Sequence, residues 1–322
     1  MVIESMSSAS AQMAAFYRIQ LQLMPHLRGI LSMLAAVATF SMMDVTMKHL
    51  VTFYPSVQVT FLRGIASLPL LFAAFGLFGR WRDLIPKRWT LHLLRGLLSV
   101  MTLWGFVYSV SLLSLADAYT IFMSAPLLIT ALSVPLLGEH VGARRWIAVG
   151  IGLCGVVLVL KPSGTSLITL GGLAALCSAL GYALSALTIR ILSRTDSGAS
   201  TVVWALSIMT LISGAITFKG WIPLQWQHWP WIVGLGVSGA LGQHFITEAF
   251  RRAPPPVIAP LEYTALAWGM FFDWLIWTTA PSSRMLTGAA IIVASGLYVI
   301  HRERNVAVAA PGSVPSSDSR TS

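Results

Sequence analysis

An all-α membrane protein of about ten transmembrane helices, arranged as two inverted five-helix repeats, is the fold this sequence predicts. Three observations predict it. Apolar residues make up 56% of the 322-residue chain and charged residues only 10%. A soluble domain carries about 25% charged residues, so most of this surface must face lipid. The apolar stretches are long rather than short and alternating, which suits helices that satisfy their own backbone hydrogen bonds and not a barrel. The basic residues fall in the gaps between those stretches and keep to alternate sides.

A helix needs about 20 mostly apolar residues to cross the hydrocarbon core. In chain order the spans fall at 29–50, 57–78, 91–113, 117–137, 146–161, 170–192, 200–220, 229–250, 256–277 and 285–300. The fifth and tenth are short, and only SLLSLAD separates the third from the fourth. Residues 1–28 read as a cytoplasmic lead, without the apolar core and small-residue cleavage site of a signal peptide. Residues 29–161 form the first repeat and 162–300 the second. Residues 301–322, rich in small and polar side chains, read as a disordered cytoplasmic tail.

Orientation follows from Lys and Arg. With the N-terminus in the cytoplasm, the inside segments hold 14 basic residues, from Arg18 and Arg28 through Arg80, Arg82, Lys87, Arg88, Arg144, Arg145, Arg190, Arg194, Arg251 and Arg252 to Arg302 and Arg304; the outside loops hold 3, Lys161, Lys219 and Arg284. The opposite orientation would reverse that ratio, so both termini are expected in the cytoplasm of a multi-pass, bacterial-type inner-membrane protein. The net charge of +10 is then charge at the membrane flanks. It forms no continuous basic face and comes with no nucleic-acid motif, so no nucleic-acid partner is expected.

Five spans per half is an odd number, so two like halves must insert in opposite directions, a common transporter plan with its site at the repeat interface. The halves are alike. SLADAYTIFMSAPLL precedes LLGEHVGARRWIAVGIGLCGVVLVL in the first, and RRAPPPVIAPLEYTALAW precedes IWTTAPSSRMLTGAAIIVASGLYVI in the second. MMDVTMKHL and ALSALTIRIL match loosely in the opening spans. Gly150, Gly152, Gly155, Gly288 and Gly296 give small faces for close helix contact, within the chain or in a homodimer.

Taken together, FSMMDVTMKHL, VTFLRG, LLRGLLSV, SLADAYTIFMSAPLL and LLGEHVGARRWIAVGIGLCGVVL make the chain similar to the drug/metabolite transporter superfamily, in its EamA-type ten-span branch, over roughly residues 29–301. The resemblance implies a pseudo-symmetric bundle with a central cavity, moving small metabolites such as amino acids or nucleosides. One departure stands out: Glu139 closes the fourth span, but the equivalent place in the second half carries Thr279.

Charges inside a span are costly, about 2.5–3.5 kcal/mol each at a helix centre, and mark functional sites. Asp44 and Lys48 lie on one face of span one, and Arg63 lies at matching depth in span two. An Asp44–Arg63 pair is expected, with Lys48 sharing the carboxylate, either as a receptor for a zwitterionic solute or as a lock between the two spans. Glu262, after Pro260, is the leading proton carrier, with His244 and Glu248 behind it; an ion pair of Glu248 with Arg251 or Arg252 is the competing reading. Arg95 is expected to snorkel, Asp117 to cap span four, and Asp273 to touch water. Trp104, Tyr108, Tyr182 and Tyr263 fall near span centres, as do Trp204 and Trp268, and the first four are placed with the substrate-binding group. Cys154 and Cys177 lie within apolar stretches, so neither a disulfide nor a metal is expected.

There is no H-E-x-x-H, G-x-S-x-G or G-x-x-x-x-G-K-[ST] pattern, so no cofactor and no ATP site are expected. The function predicted is export or uptake of small amino-acid-like, zwitterionic or amphipathic metabolites by alternating access without ATP. An intramembrane enzyme and a channel or scaffold are the alternatives.

Overall fold

The computed structural model describes residues 27–78, 81–138, 141–160, 169–252 and 259–309. Glu139, the lead before Leu27 and the tail after Ala309 lie outside the described residues. All regular structure within them is helical, with no strand.

The first helix, α1 (Leu27–Leu50), is followed by α2 (Ser56–Phe78), α3 (Trp89–Leu112), α4 (Leu115–Phe122), α5 (Ala125–Leu137) and α6 (Ala143–Leu160). Then come α7 (Leu170–Leu192), α8 (Gly198–Thr217), α9 (Trp229–Arg252), α10 (Thr264–Trp277) and α11 (Ser283–Ala309). Six stretches are long and apolar enough to cross a membrane: Leu27–Leu50, Ser56–Ala73, Trp89–Leu112, Leu115–Leu137, Leu170–Leu192 and Gly198–Gly220. Large apolar side chains stand exposed on their outer faces, among them Leu31, Ile65, Leu97, Leu136, Leu173 and Leu211. A water-soluble surface does not carry such a belt; this is a multi-pass membrane protein. α11 runs on past residue 300 to Ala309.

The expected fourth span is two helices. Pro126 cannot donate to the carbonyl of Phe122 one turn back, and its ring crowds that carbonyl, so α4 stops there and α5 starts afresh at Ala125. The cap of α4 is Ser114, not Asp117. Ser114 Oγ accepts from the Asp117 backbone N–H at 3.0 Å, as an N-cap does, and donates to Asp117 Oδ2 at 2.7 Å. In the expected ninth span the α-helix begins only at Thr264, and a 3-10 turn, Ala259–Tyr263, leads into α10. α5 and α10 both end on a left-handed residue, Gly138 (φ 68°) and Thr278 (φ 51°), the first at no cost and the second with strain.

Extensive interfaces join α3 to α7 and α6 to α11, α2 to α8 and α9, and α3 to α8. Small residues bring these helices together. A β-carbon on Gly105 would lie 2.8 Å from the backbone oxygen of Ala174, and one on Gly155 2.9 Å from Ile291 Cγ2. Gly152, Gly155 and Gly288 are thus occupied by the α6–α11 contact within the chain. α1 lies against α9 through Met33, Val37 and Ala249, with Leu261, Ala265 and Trp268 beside them. Cys154 and Cys177 are free thiols.

Candidate functional site

α1, α2, α3, α4, α5, α7, α9, α10, α11 and the Ala259–Tyr263 turn line a cavity of about 600 Å³, a volume suited to a small-molecule ligand. On α1 its wall runs from Met33 to Met47. Most of the lining is apolar, and the charged groups that reach it are Asp44, Arg63 and Glu262. The α4–α5 break borders it through Met123, Ala125 and Pro126, and the Ala259–Tyr263 turn through Glu262 and Tyr263. Non-helical backbone at membrane depth survives only where protein or a cavity surrounds it.

Asp44 is buried, and its Oδ2 accepts the hydroxyl of Tyr119 on α4 at 2.6 Å. Arg63 lies across the cavity, near enough for attraction to Asp44 but not in contact. Among the described residues no hydrogen bond or salt bridge engages its guanidinium, so its donors remain available to a solute. Asp44 and Lys48 have thus each taken a partner other than the expected one. Lys48 Nζ is 3.0 Å from Asp273 Oδ1 on α10, with exposures of 13% and 2%, and sits 4.4 Å above the centre of the Trp277 ring. Asp273 does not face water: it also accepts the backbone N–H groups of Leu115 (3.1 Å) and Ala116 (2.7 Å), where the start of α4 favours a negative charge. Lys48 and Asp273 thus tie α1, α4 and α10 together just past the end of the cavity.

Two of the expected aromatic residues reach the cavity, Tyr182 on α7 and Tyr263. Tyr182 lies within electrostatic reach of Glu262 and Arg95. Tyr263 stands over Gly296 of α11, where any β-carbon would clash with its hydroxyl. Trp104 is turned away, its indole N–H donating to Ser213 Oγ on α8 at 2.9 Å. Tyr108 is exposed on α3 outside the cavity wall. Trp204 donates to the backbone oxygen of Leu84 at 2.8 Å, and Trp268 packs against α1. His244 is exposed on α9, and Glu248 pairs with Arg252 one turn on. Arg95 does not snorkel; it hydrogen-bonds the backbone oxygen of Thr201 in α8.

The sequence had not singled out Tyr119, Phe106 or Phe122. Tyr119 stacks on Phe106 with ring centres 5.8 Å apart, Phe106 meets Phe122 edge-on at 5.8 Å, and Phe122 meets Tyr182 at 5.3 Å. All four rings line the cavity. The signal for Tyr119 was indirect: a carboxylate placed in lipid needs a donor, and no rule of spacing says which helix supplies it. Among the described residues no group of three or more His, Cys, Asp or Glu side chains could hold a metal.

A model of the EamA-like transporter family matches the chain twice, at residues 27–161 and 169–301. The chain is 28% identical over 295 residues to a riboflavin transporter of Vibrio cholerae, covering 87% of this chain and 98% of that one. It is 24% identical over 268 residues to a pseudopaline exporter of Pseudomonas aeruginosa, covering 82% and 93%. It is 26% identical over 279 residues to an S-adenosylmethionine uptake transporter of Rickettsia prowazekii, covering 87% and 94%. A solved crystal structure superimposes with a TM-score of 0.59 at 19% identity, over 88% of this chain and 98% of the other, a likeness of fold alone.

Proposed function

Because the chain belongs to the EamA-like transporter family, a family of transporters and not of enzymes, we propose that it moves a small zwitterionic or amphipathic metabolite across the inner membrane by alternating access, without ATP. The observation that carries this reading is the cavity where the α4–α5 break and the Ala259–Tyr263 turn meet Asp44, Arg63 and Glu262. Departures from the α-helix at corresponding places in two halves are the mark of a transporter site.

The halves are read as inverted five-span repeats, with α4 and α5 making one span. The twofold family match supports this, and so do the contacts. Exchanging the halves turns the α3–α8 interface into α9–α2, and α3–α7 into α9–α1, all of which are present, while α2–α8 and α6–α11 map onto themselves. The 14-to-3 charge asymmetry favours both termini inside. In that orientation Lys48 and Asp273 seal the outer end and the cavity belongs to the cytoplasmic side. Arg63 receives an anionic group of the solute and Asp44 an amine. Glu262 carries the coupling proton, since Glu248 is held by Arg252 and His244 stands outside the cavity. The cavity is complete within one chain, so a homodimer would not add to the site. The relatives' named solutes, riboflavin, S-adenosylmethionine and pseudopaline, support a small polar metabolite here.

Proteoliposomes containing the purified protein test this. Saturable flux of a metabolite without chemical conversion, reduced by Glu262→Gln and dependent on a pH gradient, is expected. Flux indifferent to both would leave facilitated diffusion, and a modified product would end the transport reading.

A further inference from the structure

The aromatic groups in the cavity are not scattered. Tyr119, Phe106, Phe122 and Tyr182 form a continuous run of rings from α4 through α3 to α7. One end of the run is the hydroxyl held by Asp44. The other end, Tyr182, lies within electrostatic reach of Glu262. The run therefore starts at one cavity carboxyl group, that of Asp44, and ends at a tyrosine that shares the cavity with the other, Glu262. Packing alone accounts for Phe106 and Tyr119, which are nearly inaccessible, but not for Tyr182, which keeps 39% of its surface exposed while lining the cavity. A tyrosine held open there offers a flat π face to whatever enters. Met33, Met43, Met47 and Met123 line other parts of the wall, and such side chains adapt to ligands of varied outline and favour contact with aromatic rings.

Resting on the transport reading above, we propose that the solute carries a flat aromatic or heteroaromatic ring, which lies against the Phe122–Tyr182 part of this wall with its hydrogen-bond-donating or cationic edge turned to Glu262. Stacking on an aromatic side chain tolerates many ring systems because every one has a π face. The carboxyl of Glu262 supplies the discrimination that stacking does not: it accepts from ring-edge or amine N–H groups. Arg63, whose guanidinium no hydrogen bond or salt bridge engages among the described residues, then takes an acceptor or anionic group of the solute. Amino-acid-like solutes without a ring would meet the charges but leave the aromatic wall unused.

The test is equilibrium binding to the full-length protein in detergent, with flux in proteoliposomes measured in parallel. The flat-ringed probes are riboflavin, adenosine, thiamine and tryptophan; the ringless probes are lysine, proline and citrate. At least one ringed probe should bind and be displaced by other ringed probes but not by ringless ones. Tyr182→Leu should weaken that binding on the order of tenfold, whereas Tyr182→Phe, which keeps the π face, should hold it within about twofold. Failure of every ringed probe to bind, equal competition by ringless probes, or affinity unchanged in Tyr182→Leu would each overturn the proposal. Flux of a ringless probe alone would sink the ring site and keep the transporter; a ring-specific site with no flux of any probe would do the reverse.

Discussion

The hydroxyl of Tyr119, 2.6 Å from Asp44 Oδ2, determines which changes near Asp44 disturb folding and which disturb function. Asp44→Asn keeps an oxygen that can accept this bond, so the variant should fold with a melting temperature near that of the parent protein while its flux falls by about tenfold or more, the charge being worth several kcal/mol in a site poorly screened by water. Tyr119→Phe leaves the carboxylate without its donor and should cost about 1–3 kcal/mol of stability, read as a lower melting temperature in detergent. Arg63→Gln should lose flux with little loss of stability, because no hydrogen bond of the fold depends on Arg63. A pronounced loss of folding in Arg63→Gln would return it to a structural role. A different carboxylate governs the acid limit. Between α7 and α8, burial pushes the Asp196 carboxyl up, but hydrogen bonds from Thr195 Oγ1, the Lys87 backbone N–H and His92 outweigh burial and hold it down to about 2, from an ordinary 3.8. A carboxyl lowered in the folded state stabilises above its ordinary value and loses that contribution as pH falls through its folded value. Melting temperature should therefore decline between about pH 4 and pH 2. Asp196→Asn should melt lower at neutral pH and lack this component of the decline; an identical acid profile in the variant would assign the loss to other groups.

At the scale of elements, the short α4 depends on its surroundings. It has eight residues, too few to be stable alone, and its start is held by the Ser114 N-cap and by Asp273 reaching across from α10. Asp273 serves both Lys48 and the first N–H groups of α4, which makes the two partners unequal. Asp273→Asn should cost about 3–5 kcal/mol, as expected when one member of a buried pair is removed. The exchange Lys48→Asp with Asp273→Lys should not restore the melting temperature, because it turns a positive group towards the positive end of α4. Full recovery in that double variant would mean that the α4 contacts contribute nothing. On the alternating-access reading proposed above the same pair closes the outer end of the cavity, and these bonds separate and reform in each cycle. The Ala259–Tyr263 turn, just before α10, places Glu262 and Tyr263 at the cavity.

At the scale of the whole molecule, the arrangement proposed above requires each half to have an odd number of spans. Reporter fusions after residues 165 and 304 should then report opposite sides of the membrane, and the same side for both would remove the inverted repeat. The sequence by itself determined that this is a multi-pass helical membrane protein of a transporter family, and it marked Asp44, Arg63, Tyr182, Glu262 and Tyr263, all of which line one cavity. Hydropathy, the cost of a charge in lipid and the positive flanks are properties of the chain read along one dimension, so they survive without a structure. Partners are not such a property. The loop of a few residues between α1 and α2 suggested that Asp44 would meet Arg63, yet Asp44 takes a hydroxyl 75 positions away and Lys48 a carboxylate 225 positions away. Which side chain answers a buried charge depends on how each helix is rotated and which non-neighbouring helix packs beside it. Small changes of rotation leave hydropathy almost unaltered while exchanging one partner for another. Only the packed bundle, in which Gly105 admits α7 against α3 and Pro126 ends α4, brought Tyr119, Phe106, Phe122 and Tyr182 into one wall and locked Lys48 onto Asp273.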